Sequence, residues 1–190
     1  MIERYQKATP TPLRSILLPV MTLNIGDEFQ PLMVAGGAAA ASNGISEENI
    51  LMANARIDEL GGNSSMIMDI NNKKGNSGKS IWDIGFTGAG FHSSPSLSEM
   101  DKDYVKNVPR CFKEGLTGGE TKCARNGGFG GGGMQGLGGG GGYTGGNGGA
   151  GNAGAGGGGS FNSDPDGTNA IVNLGPGECT MRLVMATYTL

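Results

Sequence analysis

Between positions 127 and 159 the chain carries 22 glycines in 33 residues and no charged side chain. Such a stretch has almost nothing with which to build an α-helix face, a pleated sheet or a hydrophobic core. Glycine also loses more backbone entropy on ordering than any other residue. Two outcomes remain, a flexible tether or an ordered array in which backbone bonds to backbone. Collagen is excluded, because no strict Gly-X-Y repeat runs through the glycines.

Three features weigh against a tether. Flexible linkers mix glycine with serine, whereas here only Ser160 terminates the run. A long uncharged backbone left free can find hydrogen-bond partners on other chains. The interruptions are apolar and partly periodic: Met134, Leu137 and Tyr143 are three and six residues apart, with Phe129 out of register. Three residues make one turn of a polyproline II helix, so those three side chains would share a face. Such a helix has no internal hydrogen bonds, and its amides need water or neighbouring helices. Each backbone bond nets about 1 kcal/mol, against an ordering cost of about 1–2 kcal/mol per residue. A lone thread therefore loses, and only a bundle with several bonded neighbours, anchored by a folded body, can hold.

The rest of the chain must supply that body. Its 190 residues allow one ordinary domain or a fragment of a larger one. With 14 basic and 17 acidic residues the net charge is −3, so there is no basic footprint for nucleic acid. The glycine run also has no Arg to supply the electrostatic term of RNA binding. No apolar stretch reaches about 18 residues, so no membrane contact is expected from this segment. One histidine and three cysteines leave little material for a soft-metal site, and no cofactor is expected.

Residues 1–26 read as an N-terminal extension or partial strand, and residues 27–190 as the glycine-rich region. Leu13 to Leu23 could be a signal peptide, but no small-x-small cleavage site follows, which favours a strand interrupted by Pro19. Glu28 to Ala35 reads as a strand that Pro31 confines to an edge or a bulge. Ser46 can cap a short helix from Glu47 to Leu60, stopped by Gly61-Gly62. Met66–Ile70, Ser80–Phe86, Ala170–Leu174 and Thr180–Leu190 suggest further strands, and Ser163 to Gly167 a turn. The chain stops inside its last strand, as a truncated product would. The expectation is a mainly β body with one short α-helix.

Several motifs need weighing. Gly75-Asn76-Ser77-Gly78-Lys79-Ser80 imitates the end of a phosphate-binding P-loop, but Lys73 stands where the first glycine is needed, and a solvated turn is the simpler reading. The paired acids show no acid/base arrangement: Asp101 and Asp103, with Lys102 and Lys106, read as a solvated face. His92 reads as a solvated loop residue and Trp82 as core. Asn63-Ser64-Ser65 is a sequon for N-glycosylation at Asn63, relevant if the chain is secreted.

The ordered string Gly127-Gly128-Phe129-Gly130 to Gly133, then Gly138 to Gly142 with Tyr143-Thr144-Gly145-Gly146-Asn147, then Ser163-Asp164-Pro165 to Gly167, carries a resemblance. It is similar to the extracellular glycine-rich region of the anaplastic lymphoma kinase and leukocyte tyrosine kinase receptors. Pro31 to Gly37, Asn63-Ser64-Ser65, Gly75 to Gly78 and Leu116 to Gly119 fall in the same order, over roughly Glu28 to Gly177.

The resemblance implies a β-sandwich of tumour-necrosis-factor-like topology with an inserted bundle of glycine-rich polyproline II helices. It implies an extracellular module of a single-pass receptor protein tyrosine kinase, which binds a secreted helical cytokine and forms a receptor homodimer. It assigns no ligand-contacting residue. The epidermal-growth-factor-like module, membrane span and kinase are absent from the chain, so no enzymatic activity is expected of it. Mostly on this resemblance, Cys111 and Cys123 are a candidate disulfide. Cys123–Cys179 and three reduced thiols are the alternatives. The rival functions are a secreted structural glycine-rich protein and a P-loop-like nucleotide-binding protein.

Overall fold

The computed structural model describes residues 20–25, 28–40, 51–64, 73–80, 87–96, 105–122, 126–128, 130–133, 138–149 and 154–166. These residues are mostly non-helical, with short strands in two small antiparallel sheets.

The first sheet has the order β1-β2-β5. β1 (Val20–Ile25) starts directly after Pro19 and pairs with β2 (Glu28–Val34) from Ile25↔Glu28 to Val20↔Val34. The two residues between them, Gly26-Asp27, are the Gly-X pair suited to a tight hairpin. Met21 faces Met33 but Thr22 faces Pro31, so Leu32 is an extra residue in β2. β5 (Phe161–Asn162) pairs with β2 at Met33 and Val34. Pro31 thus sits beside the bulge, where the β1–β2 ladder is already interrupted, and beyond the end of β5. The sequence-based strand Glu28 to Ala35, with its edge-or-bulge proline, matches this arrangement. The second sheet pairs β3 (Val105–Asn107) with β4 (Glu120–Thr121).

The central strand and β5 run on into glycine. Past their pairing, the Gly36 amide donates to Ser160 Oγ (3.0 Å) and the Gly158 amide to the Gly37 carbonyl (2.8 Å). The sheet therefore delivers two glycine threads side by side, and more join them. Gly145 and Gly148 donate to the carbonyls of Asn76 and Lys79 (2.9 and 3.1 Å), while Gly146 and Asn147 donate to Gly140 and Gly62 on two other segments. Gly156 and Gly159 donate to Asn147 and Thr144 (2.9 and 2.8 Å), while Gly157 and Gly158 donate to Met52 and Gly37. Gly37 and Ala40 donate to Gly141 and Gly138 (2.8 and 3.0 Å). Every third amide returns to the same neighbour, parallel in the first case and antiparallel in the other two. A repeat of three residues is the turn of polyproline II backbone.

Residues 138–142, 145–149 and 154–159 are buried or nearly so. A Cβ built on Gly146 would lie 1.9 Å from the Gly156 carbonyl oxygen, and one on Gly88 1.9 Å from that of Gly140. These glycines are needed for closeness and not for unusual torsions. Positive φ among the described glycines occurs at Gly75, Gly115 and Gly130.

The expected helix from Glu47 to Leu60 is corrected. Residues 51–53 are helical, but the chain leaves the helix at Asn54; residues 41–50 lie outside the described set. Helix propagation needs each carbonyl for the amide four residues on. Here the carbonyls of Met52, Ala53 and Asp58 accept instead from Gly157, Ala39 and Ser160, and the Arg56 amide donates to Gly158. The glycine threads outcompete the helix for its own backbone. The strands expected at Met66–Ile70, Ser80–Phe86 (which holds Trp82), Ala170–Leu174 and Thr180–Leu190 fall on residues outside the described set, apart from Ser80.

Substituting Gly146 by Ala forces backbone apart from backbone and is expected to destabilise the protein by about 3 kcal/mol or more. Gly115→Ala, with φ of 96° and nothing within 4 Å of the new carbon, is expected to lose only about 1–2 kcal/mol. Urea unfolding of the two variants measures the contrast.

Candidate partner-binding site

The side chains that interrupt the glycine tract split into two groups. Thr144 and Asn147 are fully buried clasps. Thr144 Oγ1 accepts from the Gly75 amide (2.8 Å) and Asn147 Oδ1 from the Lys79 amide (2.8 Å). Ser160 does the same at the tract's end, donating from its hydroxyl to the Arg56 carbonyl (2.6 Å) and accepting from Gly36. These polar clasps were not recognised in the sequence, where attention goes to the apolar interruptions. The cue available was their position, each inside or at the end of a glycine run.

Tyr143 belongs to the second group, an aromatic seam. Its ring stacks on Phe161 of β5 (centroids 4.6 Å) and lies 6.3 Å from Phe91. Phe91, 1% exposed, stacks on Phe112 (4.9 Å), which meets Phe29 of β2 edge-on (5.4 Å). Phe112 opens a 3-10 turn, Phe112–Glu114. His92 is exposed, as expected, but its ring packs edge-on against Phe91 (5.1 Å). The seam joins both ends of the first sheet to the glycine threads. Met134 and Leu137, expected on one face with Tyr143, lie outside the described residues.

Beside the stacked Tyr143–Phe161 pair lies an open cleft of about 390 Å³, lined by Ile57, Asp58, Glu59, Leu60, Lys74, Asn162 and Asp164. Ile57 is 50% exposed, an apolar group presented to solvent at the rim of charged residues. The segment 54–60 that forms one wall is held against the threads by the Gly158–Arg56 and Ser160–Asp58 bonds. Asp58 takes a two-point contact from the Arg56 guanidinium, Nε to Oδ1 at 2.8 Å and Nη2 to Oδ2 at 2.5 Å. That hydrogen bond holds the Asp58 carboxyl below its ordinary value and raises Arg56. Lys74 Nζ meets Glu59 Oε2 at 2.7 Å, which raises the Lys74 ammonium. Burial pushes the Tyr143 phenol up, with the Glu59 charge adding to it. Asp58 and Glu59 are thus each matched by a cation, and Asp164 leaves a negative excess on the cleft.

The remaining expected site residues fall elsewhere. Asn63 is half-buried in a thread between buried Gly62 and Ser64, not in an open surface loop. Cys111 is buried as a free thiol; Cys123 and Cys179 lie outside the described residues. Five of the P-loop-like amides are engaged by the protein: those of Gly75, Asn76, Ser77, Gly78 and Lys79 donate to Thr144, Lys73, Ser93, Gly88 and Asn147. None of these five is left for a nucleotide phosphate. Lys106, expected on a solvated face, pairs with Glu120 (3.2 Å) across the second sheet. Asp101, Lys102 and Asp103 lie outside the described residues. Among the described residues no group of three or more His, Cys, Asp or Glu is placed to hold a metal. Among them, too, no helix is long and apolar enough to cross a membrane.

No protein-family model matches the chain, and comparison with curated proteins and with solved structures finds no match.

Two outcomes follow from these contacts. Asn147→Ala leaves the part-buried Lys79 amide without its acceptor and is expected to cost about 1 kcal/mol in urea unfolding. Asp58, Glu114 and Glu120 all titrate below their ordinary values when folded, each chiefly through a side-chain hydrogen bond, from Arg56, Ser94 and Lys106 respectively. Their stabilisation is complete above the unfolded carboxylate value of about 4 and is lost as pH falls through the folded value. Because all three are largely solvent-facing the loss is small. A melting-temperature series from pH 7 to pH 2 should fall only at its acid end.

Proposed function

We propose that this chain is a ligand-binding and dimerisation module from the ectodomain of a receptor protein tyrosine kinase, of the anaplastic lymphoma kinase and leukocyte tyrosine kinase type. Its ligand is a secreted helical cytokine, and binding brings two copies together. The chain itself has no catalytic role. The observation that carries this reading is the three-residue hydrogen-bond repeat between threads. It turns the ordered glycine string, the basis of the sequence resemblance, into a rigid body instead of a tether. In this reading the glycine threads form a polyproline II bundle inserted in a tumour-necrosis-factor-like sandwich, to which the β1-β2-β5 sheet contributes.

The cleft beside Tyr143 and Phe161 is the ligand contact we favour. It combines an exposed apolar anchor, Ile57, with an excess of carboxylate. Interfaces of this kind place apolar anchors centrally and use charge to orient the partner. A cytokine with a basic helical face fits that pattern.

Calorimetry of the chain against a cytokine of this receptor family, at tens of micromolar, tests the reading. A saturable complex is expected, and its mass by light scattering should contain two copies of the chain. Ile57→Asp, on an exposed side chain, should weaken binding at least about tenfold without unfolding the protein. Absence of any complex with the wild-type chain overturns the proposal.

A further inference from the structure

A second hollow of about 330 Å³ is lined by Ser77, Lys79, Ser80, Thr87 and Ser96, together with Gly78 and Pro95. Its described lining offers four hydroxyls and one ammonium and no carboxylate. Thr87 is 2% exposed, and its Oγ1 is buried without a hydrogen-bond partner. A buried hydroxyl with no partner destabilises the fold it sits in, and native proteins leave few of them. Valine has nearly the same shape and would carry no such penalty. The Thr87 hydroxyl is thus a donor that the described residues leave unused.

We infer that this hollow binds a single oxyanion group, the phosphate or sulfate of a small ester. Hydroxyls and an ammonium are donors suited to oxyanion oxygens, and among the described lining residues no carboxylate repels the charge. The lysine ammonium has three N–H donors, so it can reach an anion while keeping its other contacts. The surrounding backbone is held before any ligand arrives: the Gly78 amide donates to Gly88, the Lys79 amide to Asn147 Oδ1, and the Lys79 carbonyl accepts from Gly148. That same engagement removes the amides that would wrap a chain of phosphates, so recognition falls to side chains and suits one tetrahedral group. The volume stands at the small end of ligand sites. This inference does not depend on the receptor reading.

The test is a titration of the full chain with inorganic phosphate and, separately, inorganic sulfate, followed by amide chemical shifts. Saturable shifts at residues 77–80, 87 and 96, with a dissociation constant of a few millimolar (roughly −3 to −4 kcal/mol), are expected. Phosphoserine and glucosamine 6-sulfate then distinguish the two sources, and whichever binds more tightly names the ester class. Thr87→Val should raise the melting temperature of the free protein, since the orphan hydroxyl is gone, and weaken anion binding about fivefold. Lys79→Gln should weaken it about tenfold. No saturable shift up to about 50 mM anion, failure of both esters to bind, or a Thr87→Val protein that melts higher with unchanged affinity overturns the proposal.

Discussion

The structure depends on one kind of contact, a backbone amide of one glycine thread bonded to a carbonyl of another at a distance that leaves no room for a Cβ. With threads this close, each residue's amide can find a carbonyl on a different neighbour, and the three-residue repeat sends every third amide back to the same one. Net gain per bond and ordering loss per residue are of similar size, about 1 and about 1–2 kcal/mol. An array balanced this finely needs anchors. They are the β1-β2-β5 sheet, which feeds in two threads in register, and the polar clasps Thr144, Asn147 and Ser160.

The usual relation between core and loop is inverted here. Residues with no side chain fill the interior, and the aromatic rings form a seam along its flank that ties sheet, 3-10 turn and threads together. Aromatic stacking supplies the apolar burial that glycine cannot. The cleft beside Tyr143 and Phe161 follows from this layout. The segment 54–60 is drawn out of helical form to cap the threads, and its outward side chains, Ile57 among them, are left facing solvent. A surface suited to a partner is thus a by-product of how the bundle is closed.

What was legible in the sequence follows from local chemistry. β2 could be read as a strand over Glu28 to Ala35 that runs into Gly36, and Pro31 could be placed at an edge or bulge because a missing N–H is a property of the residue itself. The case for ordered threads came from composition and spacing, since an uncharged glycine run with few serines has few other stable outcomes. The helix past Asn54 was misread because its apolar spacing is helical; what breaks it is competition for its carbonyls by Gly157 and Ser160, over 100 residues away. Asn63 is a sequon by its residues alone, and its half-burial comes from the interior position of the glycines before it. Phe91 lay in a stretch that is polar overall, with nothing nearby to mark it as core.

By itself, then, the sequence determined that the glycine tract must bond backbone to backbone or stay loose, that a strand over residues 28–35 runs into Gly36-Gly37, and that the chain carries little material for a soft-metal site. Which thread bonds which, that Thr144 and Asn147 are interior clasps, and where the two surface hollows open were decided only in three dimensions. The physical reason is that glycine carries no side chain to encode a partner. Its neighbours are chosen by the sheet, the aromatic seam and the few polar clasps, whose meeting depends on residues far apart in the chain.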